Sequence, residues 1–127
     1  MESLIKIKSK YSFDETVNNI LDSLKSKDIA VFATIDHQRN AKNANIIMEP
    51  EKLILFGSPA VGTPLMNENR DIGIELPSKL LIYKKNENTY IVYRNPEMLI
   101  KDYGIDKSRD YMMRLKTLVE SIVGPLS

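Results

Sequence analysis

One segment constrains the fold more than any other. Lys52-Leu53-Ile54-Leu55-Phe56 is a nearly unbroken apolar run, and such a run bounded by turn residues is expected to form a buried strand. Gly57-Ser58-Pro59 ends it, and Ala60-Val61-Gly62-Thr63-Pro64-Leu65-Met66 follows as a helical segment. Two helix starts compete there, Ser58 before Pro59 and Thr63 before Pro64. Each puts a hydroxyl at the cap and a proline at the first helical position. A strand that hands over to a helix start presents backbone N–H groups to which an anion can bind. The segment is not a P-loop, because no Gly-Lys-Ser/Thr follows its glycines. Nor is it a dinucleotide fingerprint, because two glycines five positions apart do not form that pattern.

The flanking sequence supplies partners for this strand. Residues 4–8 alternate apolar and charged and read as a strand. Ser12 and Glu15 form a capping box, and Phe13, Val17, Ile20, Leu21 and Leu24 make one helical stripe, so a helix is expected over 13–27. Residues 29–35 are rich in β-branched side chains and read as a strand. Residues 36–43 read as a polar loop, and 44–48 as a weaker strand. Leu80-Leu81-Ile82-Tyr83 and Tyr90-Ile91-Val92-Tyr93 flank the polar turn Asn86-Glu87-Asn88 and form a hairpin. Asn95-Pro96-Glu97 starts a short helix that Gly104 closes. A last helix begins near Asp106 or Ser108, carries Tyr111, Leu115, Leu118, Val119 and Ile122 as its stripe, and stops at Gly124-Pro125. Strands come in neighbouring groups rather than alternating with helices. The expected fold is therefore α+β, a mainly antiparallel sheet of four to five strands with helices packed on one face.

Composition narrows the function classes. A chain of 127 residues with 43% hydrophobic and 28% charged residues is expected to form one globular domain with its own core. A formal net charge of +1, with no basic patch, argues against a nucleic-acid partner. There is no cysteine, which excludes disulfides, a thiol nucleophile and thiolate metal sites. His37 is the only histidine, so a transition-metal centre would have to be completed by carboxylates, and no metal is assigned. No cofactor is assigned either. The N-terminus lacks the apolar core of a signal peptide, and no run is apolar enough to span a membrane, so a cytoplasmic location is expected.

His37 follows Asp36 at the end of the strand 29–35, where a strand opens into a polar loop. An imidazole suits general acid/base work, with Asp36 or Glu75 to orient it. The same histidine also fits an ordinary loop hydrogen bond. Leu65 and Met66 are candidates for an apolar wall, or simply for core. Glu75 lies between Ile74 and Leu76, where two readings are open: half-buried and paired with Lys79 or an arginine, or solvated at a turn.

Several separated segments also resemble domain-of-unknown-function family 302. They are Ile35-Asp36-His37, Pro50 before Leu53-Ile54-Leu55-Phe56-Gly57, Ser58-Pro59, Gly62-Thr63-Pro64-Leu65-Met66, Glu75-Leu76-Pro77-Ser78-Lys79 and Tyr93-Arg94-Asn95-Pro96. Ser58 stands where asparagine is usual, Glu75 where aspartate is usual, and Lys84-Lys85 where an acidic pair is often found. The resemblance implies a small α+β domain, commonly paired as a homodimer, with no agreed activity and no catalytic residue to transfer. It covers a core of 1–101, with 102–127 as a C-terminal helical extension of a single domain 1–127.

Three functions are compatible with these features. The leading expectation is a homodimer that binds a small anionic or amphipathic molecule between 35–37 and 57–66. His37, Ser58, Gly62, Thr63, Leu65, Met66 and Glu75 would form the site. The alternatives are an enzyme using His37 as acid or base, and an assembly module without a small-molecule site.

Overall fold

The computed structural model describes residues 1–127 as a five-stranded antiparallel sheet with helices packed on one face. The elements are β1 (Leu4–Ser9), α1 (Phe13–Ser26), β2 (Ala30–Asp36), α2 (His37–Asn43), β3 (Glu51–Gly57), α3 (Pro59–Glu68), β4 (Ser78–Lys85), β5 (Asn88–Arg94), α4 (Pro96–Asp102) and α5 (Arg109–Val123). Two 3-10 turns, Arg70–Glu75 and Gly124–Leu126, complete the chain. The strand order is β1-β5-β4-β3-β2, with every neighbouring pair antiparallel. The α+β architecture read from the sequence is the one observed.

Side chains alternate across the sheet and divide it into two unlike faces. Ile54, Phe56, Leu80, Ile82, Ile91 and Tyr93 point to one face and are buried there. They pack against Phe13, Val17, Ile20 and Leu24 of α1 and against Val119, Ile122 and Val123 of α5. The serine half of the expected capping box forms, with Ser12 Oγ accepting from the Glu15 N–H at 3.2 Å. A second cluster lies beyond the upper end of the sheet. It joins Leu65 of α3, Ile72, Leu99 and Ile100 of α4, Ile105, and Met112 of α5.

Two local expectations are corrected. Residues 36–43 do not form a loop: Asp36 accepts from the Arg39 N–H at 2.9 Å and starts α2, His37–Asn43. This short helix is polar all round and buries no residue, so it has no apolar period to betray it. Residues 44–48 are not a strand. They run from α2 to Pro50, held by Gln38 Nε2 donating to the Met48 carbonyl and by the Ile46 N–H donating to the Ala41 carbonyl. Ile47 is almost fully exposed.

Candidate functional site

The competition between the two helix starts is resolved at Ser58. Its Oγ accepts from the Ala60 N–H at 3.2 Å, and Pro59 is the first residue of α3. Thr63 and Pro64 lie inside the helix. This choice settles the fate of the N–H groups at the helix start. Pro59 has none, Ala60 donates to Ser58 Oγ, and Val61 and Gly62 both donate to the Ser58 carbonyl at 3.0 Å. The helix start is thus satisfied by its own cap, and the free N–H groups expected of an anion cradle are taken up internally.

The segment instead walls an apolar groove. A cavity of about 490 Å³ opens at the upper end of the sheet, between the start of β2, the end of β3, α3, Leu76-Pro77 and the middle of α5. That volume falls within the roughly 300–1,000 Å³ typical of small-molecule sites. Ile29, Phe32, Val61, Met66, Leu115 and Leu118 supply apolar surface with the buried Phe56 behind them, and Ser58, Thr63 and Ser78 supply hydroxyls. The Leu76–Pro77 peptide bond is cis. Gly62 keeps one wall thin: a Cβ there would stand 3.5 Å from Leu76 Cδ1, in ordinary contact, and would take space from the groove. Leu65 reaches this wall while being fully buried in the second core cluster, so it serves packing as well as lining.

His37 is not part of this arrangement. The register pairs Ala30 with Gly57 at the upper end of the sheet and Asp36 with Lys52 at the lower end. Five residues of strand at about 3.3 Å each separate the two ends by roughly 17 Å. The structure therefore does not bring 35–37 together with 57–66. The two stretches stand in two separate places, one at each end of the sheet. Asp36 is occupied as the cap of α2.

Glu75 occupies a third place. Its carboxylate accepts from Arg94 Nε at 3.1 Å and from the Tyr103 hydroxyl at 2.7 Å, while Lys79 Nζ donates to its backbone carbonyl at 3.3 Å. Arg94 also reaches Asp102 at 3.5 Å and donates to Ser3 Oγ. The arginine expected as a partner is thus Arg94. Burial pushes the Glu75 carboxyl up, but the hydrogen bonds from Tyr103 and Arg94 and the nearby Arg94 and Lys79 charges outweigh it and hold the group below the ordinary carboxylate value. Its hydrogen bond to Glu75 raises the Tyr103 phenol. This cluster sits where β4 and β5 part: the last paired residues are Leu81 and Val92, and a smaller cavity of about 210 Å³ lies in the opening. A fully engaged carboxylate beside a phenol held in its neutral form serves as a tie between elements rather than as an acid/base pair.

Sequence reasoning missed Glu68 entirely. Its carboxylate accepts from the N–H groups of Asp106, Lys107 and Ser108 at 2.7, 3.1 and 2.7 Å, and from Ser108 Oγ at 2.5 Å. These bonds hold it down at about 2. Ser108 precedes α5 without capping it through its own side chain, so Glu68 performs that service from the end of α3. Its partners are 38 to 40 positions away, and no local spacing announces them.

Comparison with known proteins gives the family. The model described as "Domain of unknown function DUF302" matches residues 5–122, through most of α5. The chain belongs to the DUF302 family. A crystal structure of an uncharacterised conserved DUF302 protein from Bacillus stearothermophilus superposes with a TM-score of 0.87 over 100% of both chains, at 18% identity, which establishes a shared fold. Among curated proteins, fluoride-specific ion channel FluC 1 of Brucella suis is 30% identical over 112 residues, covering 87% of this DUF302 chain and 44% of the channel. The corresponding protein of Brucella abortus matches equally, with 42% of its length covered. The DUF302 chain therefore spans less than half of the curated relatives it matches. No helix in it is long and apolar enough to cross a membrane.

Proposed function

We propose that this DUF302 domain binds a small amphipathic molecule in the groove between β3, α3 and α5. The observation that carries this reading is the open apolar cavity of about 490 Å³ walled by the glycine-proline segment, with hydroxyls at its margin. Apolar concavities with a few polar groups are the usual form of small-molecule sites. The general acid/base alternative has less support, because His37 lies at the far end of the sheet. The name of the Brucella channels does not direct this reading, since they extend well beyond the matched part. The uncharged probe N-phenylnaphthylamine tests it. Wild type should enhance the probe's fluorescence with saturable binding. Gly62→Leu and Val61→Trp, which fill the groove, should bind it at least tenfold more weakly while remaining folded. Equal binding by all three proteins would sink the groove as the site.

A second reading concerns assembly. The face of the sheet away from α1 and α5 carries Ile35, Leu53, Leu81 and Val92 in one register row, with Leu55 and Leu4 beside it. None of these belongs to either buried cluster. Strands that are apolar on both faces normally have both faces covered. The pairing implied by the family resemblance would provide the cover, so this face is the proposed homodimer contact.

A further inference from the structure

The groove has one charged side chain, and it is a cation. Arg114 is the only ionisable residue among the 17 that line the cavity. It sits on α5 directly before Leu115, so the helix that supplies the apolar wall also supplies the charge. Its guanidinium lies over the Tyr111 ring, 5.1 Å from the centroid. A cation held over a ring engages no hydrogen-bond acceptor there, so the guanidinium N–H donors stay available. The side chain is exposed and makes no ion pair, not even with Asp110 one turn earlier on the helix. Arg94, by contrast, is engaged by Glu75 and Asp102. An oriented guanidinium with unused donors matches a carboxylate or a similar planar anion, which it can hold through paired hydrogen bonds. Beside it, Phe32, Val61, Leu115 and Leu118 offer surface to a hydrocarbon chain and nothing to a second charge.

From this charge placement we infer that the ligand is a free single-chain amphiphile with an anionic head, its chain in the groove and its head on Arg114. The inference rests on the groove being the ligand site. It adds a selection rule that this reading alone does not contain: head-group sign decides affinity.

The test is displacement of N-phenylnaphthylamine by dodecanoate, dodecanol and dodecylammonium, each below its aggregation threshold. In wild type, dodecanoate should displace the probe roughly tenfold better than dodecanol, the scale expected of a charge-assisted hydrogen bond, with dodecylammonium weakest. Arg114→Gln should bring the dodecanoate-to-dodecanol ratio close to unity, and Arg114→Glu should invert the order in favour of dodecylammonium. Measuring the ratio within each protein removes any general effect of the substitution on the groove. A ratio near unity in wild type, or one unchanged in Arg114→Gln, overturns the head-group assignment while leaving the groove as a site. Failure of wild type to bind the probe or any of the amphiphiles overturns both.

Discussion

Glu68 closes α3 and opens α5 with one carboxylate. Four donors converge on it, and they hold its ionised form well below the ordinary glutamate value of 4.5, at about 2. A carboxyl depressed on folding contributes stability that is complete above its unfolded value and is lost as pH falls through the folded one. The window is therefore from about 4.5 down to about 2. Glu68→Gln should lower the urea midpoint at neutral pH, and its stability should fall less steeply than that of wild type across this window. Parallel pH profiles for the two proteins would contradict the assignment. His37 offers the contrasting case. It stands at the lower end of the sheet with a helix it does not cap, so His37→Ala should change stability by no more than about 0.5 kcal/mol. It should also leave probe binding in the groove unaltered, as fluorescence titration would show. Both residues illustrate what sequence can carry. For Glu75 the apolar neighbours Ile74 and Leu76 allowed a half-buried, paired carboxylate but did not decide it against a solvated one. Its partners Arg94 and Tyr103, and those of Glu68, depend on contacts across tens of residues that no local pattern encodes.

At the scale of elements, the readable parts are those with a strong period or a side-chain cap. The stripe of α1 and its Ser12 cap appear in the structure as expected, as do the β4–β5 hairpin and the Asn95 cap of α4. The α2 helix escaped because polarity all round leaves only its cap as a signal. The start of α3 was ambiguous because two hydroxyl-proline pairs satisfy the same rule, and the chain takes the earlier one. Since Ser58 Oγ satisfies the Ala60 N–H, Ser58→Ala should cost about 1 kcal/mol, read from denaturant unfolding. Thr63→Ala, inside the helix, should cost less, and the reverse order would return the cap to Thr63. Phe56 is fully buried at the end of β3 and borders both cavities. Phe56→Ala should destabilise by about 3–5 kcal/mol, which calorimetry would register as a large fall in Tm.

At the scale of the whole molecule, the sheet has a covered face and an uncovered one. Sequence conveyed the apolar content of both, since β3, β4 and β5 are near-continuous hydrophobic runs, but it did not tell which face the helices take. If a second copy covers the free face, light scattering should give twice the chain mass, and Leu81→Glu should return the single-chain mass with the fold intact by circular dichroism. A single-chain mass for wild type at tens of micromolar would remove the assembly reading.

The two edges of the sheet also differ. β1 sets Lys6 and Lys8 along its exposed side, whereas Ala30-Val31-Phe32-Ala33-Thr34 of β2 carries no charge and leaves Val31 and Phe32 substantially exposed. A register shift between Val31 and Ala33 is the one feature that interrupts this edge. Charged side chains and bulges both discourage strands from adding to an open edge, and β2 relies on the second alone. Heating should therefore make unfolding irreversible through clumping that begins at this strand. Phe32→Lys should raise the fraction of protein that regains its circular dichroism signal after a thermal cycle.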